Sequence, residues 1–253
     1  MSVIGDRPWP VPSAPWVMVQ VWEDLLFAHW ALDPAVLRPL VPAGLTLDLY
    51  EGRAWLSVVP FRMDGVRLRG TPSLPRLSRF LEINVRTYVT VEERPGVFFF
   101  SLDAASHPAV RFGRRWLCLP YVLATMAATV AGDGWIDYRS LRSDRAATGR
   151  AEFTARYRPS GPALPAAAGT LERWLTARYC FYSVDRHGGL HRGEIDHRPW
   201  PLQTAEAEIQ VNTLLAPLGI GLPNRPTLVQ FARRLPITAW PLQRVSSPAP
   251  DPQ

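Results

Sequence analysis

Proline sets the first limit on this chain. There are 26 prolines among 253 residues, about twice the usual share of roughly 5%. Proline breaks helices and withholds a ladder hydrogen bond from a sheet, so the sequence predicts many short elements joined by stiff loops. Between the prolines the clearest signal is the period of a strand. In RFLEINVRTYV, Arg79 to Val89, the residues Leu81, Ile83, Val85, Thr87 and Val89 share one face. Glu82, Asn84, Arg86 and Tyr88 share the other. If that second face points at water, it says nothing about function; if it points into a cavity, it is a binding site.

Elsewhere, Val17 to Trp30 reads as one or two strands. Asp33-Pro34 supplies an N-cap and a first-turn proline for a short helix. Leu45–Tyr50 and Ala54–Met63 read as a strand pair across Glu51-Gly52. GVFFFSLDAAS, from Gly96, reads as a strand joined to its predecessor by a loop at residues 93–96. A helical region is predicted from His107-Pro108 to about Val130. Strands follow near 135–142 and 151–157, then a loop over 159–169 and a helix capped by Thr170. Gly188-Gly189 reads as a two-residue hairpin turn, setting Cys180 opposite His197, Asp185 opposite Arg192 and Arg186 opposite His191. The last strands are expected near 205–214, 227–233 and 237–240. The fold class is α+β: a bent antiparallel β-barrel or sheet with a few short helices. It is expected to form one domain over residues 1–245, followed by a disordered tail at 246–253.

The net charge of +6 rests on 28 arginines and no lysine. Without lysine there is no lysine Schiff base, no lysine general base and no pyridoxal-phosphate anchor. The arginines are scattered, so a nucleic-acid partner is not expected. Cys118 and Cys180 lie in apolar surroundings and read as buried thiols in a reducing compartment. The N-terminus lacks a signal pattern. The uncharged run Trp116–Gly132 reads as a buried helix rather than a membrane span. The expected setting is cytoplasmic, with no membrane partner.

Motifs with a fixed mechanism are missing from the sequence. His187, His191, His197, Glu194 and Asp196 are dense in ligand types, but the hairpin separates them and no metal-site spacing exists, so no metal is expected. No nucleophile elbow and no phosphate loop is present, so no nucleotide cofactor, and no cofactor of any kind, is expected. The polar strand face remains. Phe98, Phe99 and Phe100 make the next strand apolar on both sides, which argues that both faces of the sheet are covered. Glu82 and Arg86 would then be buried, and buried charges need partners.

FAHWALDPAVLRPLVPAGLTLD, RFLEINVRTYV, GVFFFSLDAAS, LPYVLATM, LTARYCFY and HRPWPL resemble the YqjF-like proteins, a family without a settled activity, over roughly residues 7 to 240. That family is in turn similar to the acetoacetate decarboxylases. The resemblance implies a closed, bent β-barrel with a central cavity and an inward-pointing polar face. FLEIN resembles the decarboxylase strand that supplies an active-site glutamate, which places that role on Glu82. GRRWLCLPYVLA resembles the segment carrying the Schiff-base lysine just after a proline; here Tyr121 follows Pro120. Imine decarboxylation is therefore excluded chemically. The cavity implied is Glu82 and Tyr121 as catalytic candidates, and Arg86, Asn84, Tyr88, His29 and Asp103 as substrate-binding candidates.

Three functions compete. The first is a lysine-independent lyase, hydratase or isomerase acting on a small organic acid or carbonyl compound. The second is a non-catalytic binding protein for a small molecule. The third is a structural role, with Glu82 and Arg86 as a buried ion pair. A small-molecule ligand is expected in the first two, and homo-oligomerisation is left open.

Overall fold

A computed structural model of the protein describes residues 7–72, 78–144 and 149–245. The expected tail at 246–253 lies outside the described residues. Thirteen strands are joined in one sheet: β1 (Met18–Leu32), β2 (Thr46–Leu47), β3 (Ala54–Leu68), β4 (Phe80–Val91), β5 (Arg94–Ala104), β6 (Tyr121–Val130), β7 (Ile136–Arg142), β8 (Glu152–Pro159), β9 (Cys180–Val184), β10 (Leu190–Asp196), β11 (Leu202–Asn212), β12 (Leu228–Ala239) and β13 (Gln243–Arg244). The α-helices fully within the described residues are α1 (Pro34–Leu37), α2 (His107–Trp116) and α3 (Leu171–Thr176). The two expected caps are made: Asp33 accepts from the Ala35 N–H and Thr170 from Arg173. Ser106 likewise accepts from Ala109 at the start of α2.

The sheet is bent and mixed, not one closed antiparallel barrel. β5 runs parallel to both β6 and β9. The sheet folds back on itself where β4 pairs with β5 and β10 with β12, while β13 and β2 lie at the two ends of the strand order. The principal core gathers Leu26, Trp30, Val58, Ile83, Val85 and Phe153 on one side of this bend.

The proline argument is corrected by two long strands. β1 and β3 each run 15 residues. Pro60 sits inside β3, where the ladder to β1 breaks register between Glu23/Arg62 and Ala28/Val58. Pro236 sits inside β12 between the short stretches that pair with β11 and β10. Each proline occupies a place where a neighbouring ladder is interrupted.

Five further expectations are corrected. β2 pairs with β4, not β3. The β4–β5 turn is tighter than expected, with only Glu92 and Glu93, both at positive φ, between the paired ends Val91 and Arg94. Tyr121–Val130 is a strand rather than the end of a buried helix: Pro120 stops the chain after α2, and pairing with β7 over residues 124–130 decides the conformation. The β9–β10 hairpin turns through residues 185–189, with Gly188 at φ 82° and the Asp185 carboxylate accepting from the Gly189 N–H. That loop sets Cys180 opposite Glu194, not His197. Cys118 is half-buried; only Cys180 is buried. Among the described residues no helix is long and apolar enough to cross a membrane.

Candidate functional site

β4 lies between β3 and β5 and is buried on both faces from Glu82 to Val89. Its odd-numbered residues Ile83 and Val85 enter the principal core. Its even-numbered residues Glu82, Asn84 and Arg86 line an internal cavity of about 100 Å³. One extra β5 residue, Phe100, is absorbed between the pairs Val85/Ser101 and Arg86/Phe99. The bulge keeps the β4 alternation intact and leaves Phe99 on the cavity wall.

Glu82 is 2% exposed. The Tyr121 hydroxyl donates to its Oε2 at 3.0 Å. Burial pushes the Glu82 carboxyl up to about 8; the Tyr121 hydrogen bond opposes the rise and the charge of Asp103 adds to it. The carboxyl is therefore mostly neutral at pH 7. Burial and the adjacent Glu82 also hold the Tyr121 phenol well above its ordinary range. Tyr121 opens β6 directly after Pro120, and α2 presents Gly113 against its ring. A Cβ at Gly113 would lie 2.2 Å from Tyr121 Cδ2. Only glycine allows the ring this position.

Arg86 is buried, with its guanidinium centre 5.6 Å from the Phe27 ring and 5.9 Å from the Tyr88 ring. Among the described residues no carboxylate pairs with it, and its Nε has no hydrogen-bond partner. The expected Glu82–Arg86 ion pair is not formed. Four residues along a strand separate their Cα atoms by roughly 13 Å, and Glu82 turns to Tyr121 instead. Asn84 Oδ1 also lacks a partner. The cavity thus presents one unpaired guanidinium, one amide and one neutral carboxyl.

The other expected residues stand beside the cavity rather than in its wall. Tyr88 Oη is 2.7 Å from Ser57 Oγ, which is 2.7 Å from His29 Nδ1, in a fully buried chain. The His29 ring stacks on Phe27 and is pushed down to about 3, first by burial and then by the charge of Arg86. Asp103 gives both carboxylate oxygens to Arg142, at 2.7 and 3.1 Å. Burial pushes the Asp103 carboxyl up while Arg142 opposes it. Asp103 reaches the site only through its charge on Glu82.

Arg178 and His197 are polar wall residues that went unread as cavity residues in the sequence, as are Gln20 and Thr176. Arg178 donates to Asp48 Oδ2 at 2.5 Å and to the Trp174 carbonyl at 2.8 Å, and stacks on the Trp174 ring at 4.3 Å. His197 stacks on Tyr179 with ring centroids 4.6 Å apart. Both line the cavity with Trp200. They arrive because β9 joins β5 in parallel, Val97 opposite Phe181. No local pattern reports that contact. The other hairpin histidines do not join His197: His191 Nε2 is 2.8 Å from Asp185, and His187 lies in the turn. Among the described residues no three His, Cys, Asp or Glu side chains are grouped to hold a metal. The Cys180 thiol is pushed up to about 11 by burial, which keeps it unreactive.

Residues 19–236 match the model of DUF2071, an uncharacterized conserved protein family, and the chain belongs to that family. It is 44% identical over 236 residues to the uncharacterized protein YqjF of Bacillus subtilis (strain 168), covering 93% of this chain and 96% of that protein. Its fold is similar to that of acetoacetate decarboxylase from Legionella pneumophila, with TM-score 0.64 and 15% identity over 95% of this chain and 94% of the other. It is equally similar to the enduracididine biosynthesis enzyme MppR complexed with pyruvate, with TM-score 0.63 and 13% identity over 92% of each chain.

Proposed function

For a member of this family, we propose that the cavity on β4 binds a small organic acid and performs acid–base chemistry on it without lysine. One observation carries the reading: Arg86 is buried, faces the cavity and has no anion among the described residues, while the neighbouring carboxyl, Glu82, is neutral. A buried cation without a counter-charge is costly. A ligand carboxylate would offset that cost, and a guanidinium fork fits two carboxylate oxygens. Pyruvate bound to the structural neighbour MppR supports an acid of this size.

Glu82 would then move the proton. A carboxyl held near 8 carries its proton at neutral pH yet can lose it, which suits a general acid and base. The Tyr121 hydroxyl, now on Glu82, would donate to a developing oxyanion or return the Glu82 proton. With no lysine in the chain, no imine forms, so the reaction class is a lyase, hydratase or isomerase step. The missing lysine also favours a second reading, binding without turnover.

Native mass spectrometry of the purified protein, followed by identification of any denatured extract, tests the binding. The expected result is a small acid held at stoichiometric ratio and lost in Arg86→Ala. No acid in either protein, and none taken up on addition of pyruvate, would remove the reading. Glu82→Gln then separates the two variants: an enzyme loses turnover and keeps the ligand, whereas a binder changes in neither.

A further inference from the structure

The cavity beside Glu82 does not stand alone. A second chamber of about 280 Å³ adjoins it. Met18, Gln20, Met63, Phe112, Leu117 and Tyr121 line both, so the two share one wall. They differ in chemistry. The inner cavity carries Glu82, Asn84 and Arg86. The outer one adds Val66, Phe80, Pro108 and Ala109, and its rim reaches the exposed Leu68. Its wall is mostly apolar, with Gln20, Arg67 and Thr71 as the polar members beside Tyr121 and the Arg67 guanidinium over the Trp16 ring, and it is bounded by α2 on one side and the ends of β1 and β3 on the other.

We propose that the outer chamber holds an apolar tail of the ligand. The substrate class is then an amphipathic acid, with its carboxylate on Arg86 and a hydrocarbon or aromatic extension passing Tyr121 toward α2. The inference rests on the carboxylate reading of the inner cavity. The size argument points the same way. A cavity of about 150 Å³ accepts benzene, so the inner space of about 100 Å³ holds only a handful of heavy atoms. The apolar surface of Met63, Phe112 and Leu117 would face water if the ligand ended there. Tyr121, on the shared wall and hydrogen-bonded to Glu82, would mark the junction of head and tail.

The test is a titration calorimetry series with straight-chain 2-oxo acids of three to eight carbons. Each added methylene buried in the outer chamber should tighten binding roughly threefold to fourfold, until the chain reaches the rim. Ala109→Leu should fill the outer chamber and bring the ratio of eight-carbon to three-carbon affinity toward one. If Ala109→Leu does not fold, Val66→Phe on the opposite wall makes the same measurement. Affinity for the three-carbon acid without gain along the series would overturn the tail proposal and leave the carboxylate reading standing. No binding at any length would overturn both.

Discussion

Two buried glutamates in one sheet have opposite surroundings. Glu82 and Glu194 are each 2% exposed. Glu194, on β10, accepts from the guanidinium of Arg7, from Trp9 Nε1 at 2.8 Å, and from Arg94 and Arg192 at 3.1 Å each. Every lone-pair direction is taken, and the cluster ties the N-terminal segment to β5 and β10. Among the described residues Glu82 has one phenol, and the arginine on its own strand face stands apart without an anion. The first arrangement saturates a charge; the second leaves unused capacity around a cavity. Burial alone therefore does not distinguish a structural carboxylate from a chemical one. On the function proposed above, the count of partners does.

The largest effect should come from breaking the saturated cluster. Glu194→Ala takes from half-buried Arg7 and buried Arg192 the carboxylate they hydrogen-bond, leaving only the longer ion-pair contacts to Asp196 at 3.8 Å and Glu92 at 3.9 Å, and should cost up to about 3–5 kcal/mol, read by urea unfolding. Glu82→Gln below pH 7 should cost far less, because glutamine matches the neutral acid in shape and charge.

The contrast sharpens with pH. Glu82 is raised from an ordinary 4.5 to about 8 in the folded chain, so the native state binds a proton that the unfolded state has released. Its stability contribution is complete below about 4.5 and is lost as pH rises through about 8. His29 works in the other direction. Lowered from 6.5 to about 3, it contributes above about 6.5, and that contribution is lost as pH falls toward 3. Denaturation across pH 3–9 should show both limbs, with Glu82→Gln flattening the alkaline one.

A smaller effect is expected at Gly113→Ala. The added Cβ must displace the Tyr121 ring, an overpacking cost of about 1–3 kcal/mol. It should also break the one hydrogen bond that lowers the Glu82 value, moving the alkaline limb upward. An unshifted limb would mean that Tyr121 does not position Glu82.

Much of this was legible in the sequence, for physical reasons. The period of two on β4 put Glu82, Asn84 and Arg86 on one face, and the phenylalanines of β5 signalled cover on both sides. Tyr121 was found by resemblance, since nothing in LCLPYVLATM has a strand period. That same uncharged, alanine-rich run was read as helix because its conformation is set by pairing with β7, not by propensity. The hairpin register was off by three residues, Cys180 facing Glu194 rather than His197, because Asp185 caps a longer loop than Gly188-Gly189 alone suggests. Arg178 and His197 were out of reach because β9 meets β5 across some eighty residues of chain. The Glu82–Arg86 pair, the third of the three competing readings, is not formed among the described residues, because a shared face is not contact at a strand spacing of roughly 13 Å over four residues.

The central claim is that one cavity carries both the positive charge of Arg86 and a neutral Glu82. The most direct measurement is the affinity for pyruvate from pH 6 to pH 9.5, in the unaltered protein, in Glu82→Gln and in Arg86→Ala. Affinity should fall above pH 8 by about tenfold per pH unit at most in the unaltered protein, as ionised Glu82 repels the bound carboxylate. The account predicts a flat profile in Glu82→Gln and no measurable binding in Arg86→Ala. Binding that is indifferent to pH and survives Arg86→Ala would contradict it.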